Sequence, residues 1–165
     1  MITLTAKNIK QYGEYKTVIK KVLDKKYDAI FHYVCLFKQT VATKIEMVKL
    51  TNEDNILNHA SQEHSGGENY IFGAYPHGEK CILINMDAIA RAAIEYEWST
   101  GELLFNTFDT LAHELTHYMQ FLNDEEFDMI TEYRERAHEV EAREIGGRVA
   151  HIIMEEIIKE MREAK

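Results

Sequence analysis

Apolar residues recur along this chain with two different periods, and the change of period marks its elements. Over residues 7–26, Ile9, Tyr12, Tyr15, Ile19, Val22 and Leu23 fall at helical spacing, which predicts an amphipathic helix. The next run, AIFHYVCLF at 29–37, is dense in β-branched and aromatic residues. It is expected to be a strand, with helix as the rival reading. TKIEMVKL then places Ile45 and Met47 two apart, as on a half-buried strand. NHASQEHSGGENY, with Gly66-Gly67 at its centre, predicts a loop.

Two apolar runs, NYIFGAY and KCILINM, flank PHGE and predict a β-hairpin. DAIARAAIEYEW is rich in helix formers, and STG is expected to close that helix. LLFNTFDTLAHELTHYMQFL predicts the next helix, with Asn106 or Thr107 as its N-cap. A last long helix is expected over 131–162. Gly146-Gly147 inside it costs on the order of 1 kcal/mol per glycine in helix propensity, but small residues there also let another helix come close. This order predicts one α+β domain over 1–165. A small antiparallel or mixed sheet, with an edge hairpin, would pack on the helix at 103–122 and on the long C-terminal helix.

His113-Glu114-Leu115-Thr116-His117 lies within the helix at 103–122. Residues four apart on a helix share a face, so His113 and His117 present two ring nitrogens to one point. Zinc accepts imidazole nitrogen at roughly 2.0–2.1 Å, and Glu114 beside the pair would take a proton from an attacking water. This is the physical content of the H-E-x-x-H motif. Phe105, Phe108, Leu111, Ala112, Leu115, Met119 and Phe121 make the helix a core element. Unpaired polar groups buried on it would cost several kcal/mol, about 2–7 each, so the alternative is two surface histidines beside an exposed glutamate.

Zinc needs a third protein ligand. Gln120 and Asn123 stand where a metzincin would have Gly and His, which disfavours that class. The remaining candidates lie in AHEVEAREIGG: Glu139, Glu141 and Glu144, with His138 as an outsider. Asp109, four residues before His113, either accepts the histidine's other N–H or only favours the helix N-terminus electrostatically. Tyr118, Tyr133 and His138 are candidate donors to an oxyanion, with packed or surface positions as the plainer reading. His59, His64 and His77 fall in predicted loops, and their spacing supports no second metal site.

His113–His117 with a downstream Glu-x-x-Ala, Glu139 to Ala142, followed by the apolar Ile145, resembles the gluzincin-type zinc peptidases. The similarity is to the short minigluzincin and ImmA/IrrE-type groups. It covers roughly 80–150 and departs from the common pattern at Arg143, where Asp or Asn usually stands. The resemblance implies a zinc metalloendopeptidase with His113, His117 and Glu139 as metal ligands and Glu114 as the catalytic base. KCILINM would take the place of the edge strand that holds an extended peptide.

Composition narrows the classes further. Of 165 residues, 45% are hydrophobic and 28% charged, as in ordinary globular proteins. The net charge of -9 is carried by residues 101–165, with 16 acidic and 7 basic side chains. That argues against phosphate-backbone binding there and hints at a basic substrate. The N-terminal lysines, Lys7 to Lys26, read as a solvated helix face rather than a nucleic-acid patch. Cys35 and Cys81 read as reduced core residues. With no signal-like apolar region and no apolar run of membrane length, a cytoplasmic protein is expected. Its partner would be a peptide or protein substrate, not nucleic acid or membrane. The alternative function is a non-catalytic regulatory or binding protein that keeps its metal.

Overall fold

The computed structural model describes residues 5–51 and 70–165. The loop expected at 58–70, including His59 and His64, lies outside them except for Tyr70.

Helix α1 spans Ala6–Lys38 and starts at an N-cap, Thr5, whose hydroxyl accepts the Asn8 N–H. It runs straight through 29–37, so the strand expected there is instead the last part of a helix. The reason is spacing. Ile19, Leu23, Lys26, Ile30 and Val34 are all buried, three or four residues apart, on one continuous face. Each fully buried Ile or Val contributes about 1.5–3 kcal/mol. Its helix-propensity deficit is only about 0.7 kcal/mol or less. The helix stops where Gln39 turns left-handed and the Thr40 N–H bonds back to the Cys35 carbonyl.

Among the described residues three short strands follow: β1 (Glu46–Leu50), β2 (Gly73–Ala74) and β3 (Cys81–Asn85). Their order is β1-β3-β2, with β1 parallel and β2 antiparallel to β3. The sheet is therefore mixed, and β2 and β3 form the expected hairpin around Gly78, whose φ is +81°. KCILINM does not occupy the edge. Pairing of Met47 with Ile82 and of Gly73 with Ile84 makes β3 the central strand and leaves β2 at the edge.

Asn85 ends β3 and caps helix α2 (Met86–Glu95). Its side chain accepts the Ala88 N–H and donates to the Ile71 carbonyl. Helix α3 (Thr100–Leu122) begins earlier than expected, at a capping box between Ser99 and Glu102. Asn106 and Thr107 are interior to it and bond back to the Glu102 and Leu103 carbonyls. The STG segment thus opens this helix instead of closing α2.

Helix α4 (Ala137–Glu163) begins later than expected, after a 3-10 turn at Tyr133–Glu135. Asp128 accepts the N–H groups of Ile130 and Thr131, and the Arg136 guanidinium donates to the Met129 and Thr131 carbonyls. Those bonds hold 128–131 as a turn. Helix α3 sits at the centre, with Phe108, Leu111, Leu115 and Met119 fully buried against α1 and the sheet. Ala142, Gly146, Val149, Ala150 and Ile153 form the seam of α4 with it. The fold is α+β. No described helix is long and apolar enough to cross a membrane.

Candidate metal centre

Helix α3 carries two stripes. The apolar one faces the core; the polar one, Asp109, His113, His117 and Gln120, faces the N-terminal half of α4. Helical periodicity alone produces this, because the spacings are four, four and three. The Nε2 atoms of His113 and His117 lie 3.0 Å apart. Glu139, in the first turn of α4, brings its Oε2 to 3.3 Å from His113 Nε2 and 3.4 Å from His117 Nε2. The three side chains are 16%, 11% and 8% exposed, which places the cluster just beneath the surface.

Glu139 Oε2 is buried and receives no well-aligned hydrogen bond. Burial pushes its carboxyl pKa up, but the two imidazoles outweigh that and hold it well below the usual range. At His117 burial pulls the pKa down, and the neighbouring Glu139 and Glu114 carboxylates turn the net shift upward. A tetrahedral ion with roughly 2.0–2.1 Å bonds to its ligands separates them by about 3.3–3.4 Å. The spacings here, 3.0, 3.3 and 3.4 Å, are close to that edge length. Two imidazole nitrogens and one carboxylate oxygen are also a donor set zinc favours. The residues present fit a zinc ion.

Glu114 is buried beside the pair, at the face covered by β2. A Cβ on Gly73 would lie 3.0 Å from Glu114 Cγ and 2.8 Å from Thr110 Cγ2, so only glycine lets the strand pass this close. Tyr133 faces the cluster from the rim. Burial first, then the charge and hydrogen bond of Glu139, push its phenol pKa well up. Asp109 lies against Gly146, where a Cβ would be 2.6 Å from Asp109 Oδ1 and 3.5 Å from His113 Cβ. Burial raises the Asp109 pKa, with His113 close enough to oppose it.

The other candidates go elsewhere. Glu141 points away from the histidine pair and bonds Lys38 and Gln120, each at 2.8 Å. Glu144 is exposed. Tyr118 donates to the Thr43 carbonyl at 3.0 Å, away from the cluster. His138 is buried, its Nε2 3.6 Å from Glu139 Oε1, with burial lowering its pKa. His77 is exposed and packs edge-on between Phe121 and Phe127. Cys35 and Cys81 are unpaired and only partly buried.

Sequence reasoning used Gln120 only to disfavour a metzincin and gave it no role at the site. It is fully buried, and its Oε1 sits 2.8 Å from His117 Nδ1. The signal was available: Gln120 lies three residues past His117, on the same face. No known family, curated protein or solved structure matches the chain.

Proposed function

We propose that the protein is a zinc-dependent endopeptidase, with His113, His117 and Glu139 holding the metal and Glu114 acting as general base. The observation that carries this reading is the convergence of two Nε2 atoms and one orphaned, buried carboxylate oxygen at near-tetrahedral spacing, from two helices. Zinc, when bound, supplies Lewis-acid polarisation of a carbonyl and makes a neighbouring water more acidic. Glu114 takes the proton from the attacking water and passes it to the leaving amine. Tyr133, at the rim, is placed to donate to the developing oxyanion. Among the described residues β2 is an edge strand, and it passes over Thr110 and Glu114, so a peptide paired to it would run past the base.

The resemblance to gluzincin-type peptidases agrees with this assignment. The excess of acidic residues over 101–165 favours substrates with basic character. Two unpaired thiols fit a reducing compartment such as the cytoplasm. The test is cleavage of a broad peptide library by zinc-loaded protein, with Glu114→Gln as control. Cleavage that the variant loses supports the reading. Stoichiometric zinc without any cleavage would favour a metal-retaining regulatory or binding protein.

A further inference from the structure

The amide of Gln120 has only one orientation open to it. Its Nε2 lies 2.9 Å from the His138 carbonyl oxygen and 2.8 Å from Glu141 Oε2. A backbone carbonyl and an ionised carboxylate can only accept, so both must face the NH2 group. The amide oxygen is then left for His117, 2.8 Å from Nδ1. That oxygen can only accept as well, so Nδ1 must carry a hydrogen. A neutral imidazole has one ring hydrogen, so Nδ1–H puts the lone pair on Nε2, the atom that faces His113 and Glu139.

The constraint is anchored outside the two helices of the site. Lys38, at the last turn of α1, places its ammonium 2.8 Å from Glu141 Oε2 and 2.6 Å from Glu125 Oε1. Its side chain is only 5% exposed, so the ammonium itself is largely shielded from water. The ammonium pins the Glu141 carboxylate beside Gln120. A pinned acceptor there stops the amide from turning over.

We infer that Lys38, Glu141 and Gln120 form a positioning relay that holds His117 as the Nδ1–H tautomer and keeps its Nε2 ready for a metal. Glu141, a candidate ligand by sequence, thus acts on the metal centre through the amide between them. The relay rests on the metal reading for its purpose, but its geometry can be examined without metal.

The experiment has two arms. In metal-free protein, long-range proton–nitrogen NMR reads the His117 tautomer, at a pH above the ring's own measured titration. The expected result is hydrogen on Nδ1; hydrogen on Nε2 overturns the relay, whatever the protein does with zinc. In the second arm zinc affinity is compared among variants that keep the wild-type circular dichroism. Gln120→Met should lose about 10- to 100-fold, the usual effect of removing a group that orients a ligand. Gln120→Glu should lose at least as much, because a carboxylate cannot donate to Glu141. Adding Glu141→Gln to it restores a donor at one of the two contacts, leaves the His138 carbonyl unmatched, and should recover part of that loss. A double variant that binds zinc no better than Gln120→Glu alone contradicts the relay. Wild-type protein that takes up no zinc at all would instead contradict the metal reading, and the tautomer arm would still decide the relay.

Discussion

His113 Nε2 faces His117 Nε2 across one helical turn, 3.0 Å away. Two lone pairs that close repel unless a proton or a cation lies between them. The packing of α3 against the sheet and α4 holds the rings there, so the fold pre-orders the pair. Glu139 Oε2 closes the triangle from α4.

The three acidic residues near the start of α4 should separate by zinc affinity. Glu139→Gln should weaken binding by at least about 100-fold, beyond the range for a group that merely orients a ligand. Glu141→Gln should cost less, and Glu144→Gln, on an exposed position, nothing measurable. Competition titration against a chromophoric chelator measures all three.

Glu114→Gln should leave zinc content unchanged and lower the peptide cleavage rate by about 100- to 10,000-fold, the usual contribution of a general base. An active variant would remove Glu114 from that role.

Two glycines set the approach of backbone to the site. Gly146→Ala brings a methyl within 2.6 Å of Asp109 Oδ1 and 3.1 Å of its carbonyl oxygen. The backbone contact cannot swing aside, so a loss of about 1–3 kcal/mol is expected in urea unfolding. Gly73→Ala meets the Leu83 carbonyl at 3.2 Å as well as Thr110 and Glu114, and should push β2 off α3. Gly147→Ala meets nothing within 4 Å and should stabilise slightly.

The Lys38 cluster predicts an acid transition. Burial pushes the Glu141 carboxyl up, but hydrogen bonds from Gln120 and Lys38 outweigh it and leave the pKa below its ordinary 4.5. A lowered folded pKa stabilises above the unfolded value, and that share is lost as pH falls through the folded one. Lys38 shifts the other way. Burial pulls it down, yet Glu125 and Glu141 raise it above 10.5, so its share is lost only as pH rises through that higher value. Lys38→Met should cost about 1–2 kcal/mol at neutral pH. That is less than a fully buried pair, because both carboxylates keep contact with water. It should also flatten the fall in melting temperature below pH 4.5, the ordinary carboxylate value. Identical acid slopes in the two proteins would contradict this.

Much of the architecture is legible in residue spacing, and each misreading has its own physical cause. AIFHYVCLF has strand composition, yet Ile30 and Val34 continue the buried stripe of Ile19 and Leu23, and a tertiary face overrode local propensity. Ser99 and Glu102 form a capping box that was visible as S-x-x-E, but the adjoining Thr100-Gly101 suggested an ending. The central place of β3 depends on β1, which arrives from far along the chain, and no local pattern carries that.

At the site, the histidine pair was legible because one helix supplies both rings. The choice among Glu139, Glu141 and Glu144 depends on which face of α4 meets α3. Ala142, Gly146, Val149 and Ile153 mark that seam, and Glu139 is three residues before its first member. The contact of Gln120 with His117 went unread because an amide carries no charge or motif, although its spacing from His117 pointed inward.

Zinc content tests the central claim most directly. Metal-free protein is loaded with excess zinc, dialysed extensively and measured by elemental analysis, beside His117→Ala and Glu139→Ala variants confirmed to be folded. One tightly held zinc per wild-type chain, absent from both variants, is the predicted result. No zinc in the wild-type protein, or equal zinc in all three, would contradict it.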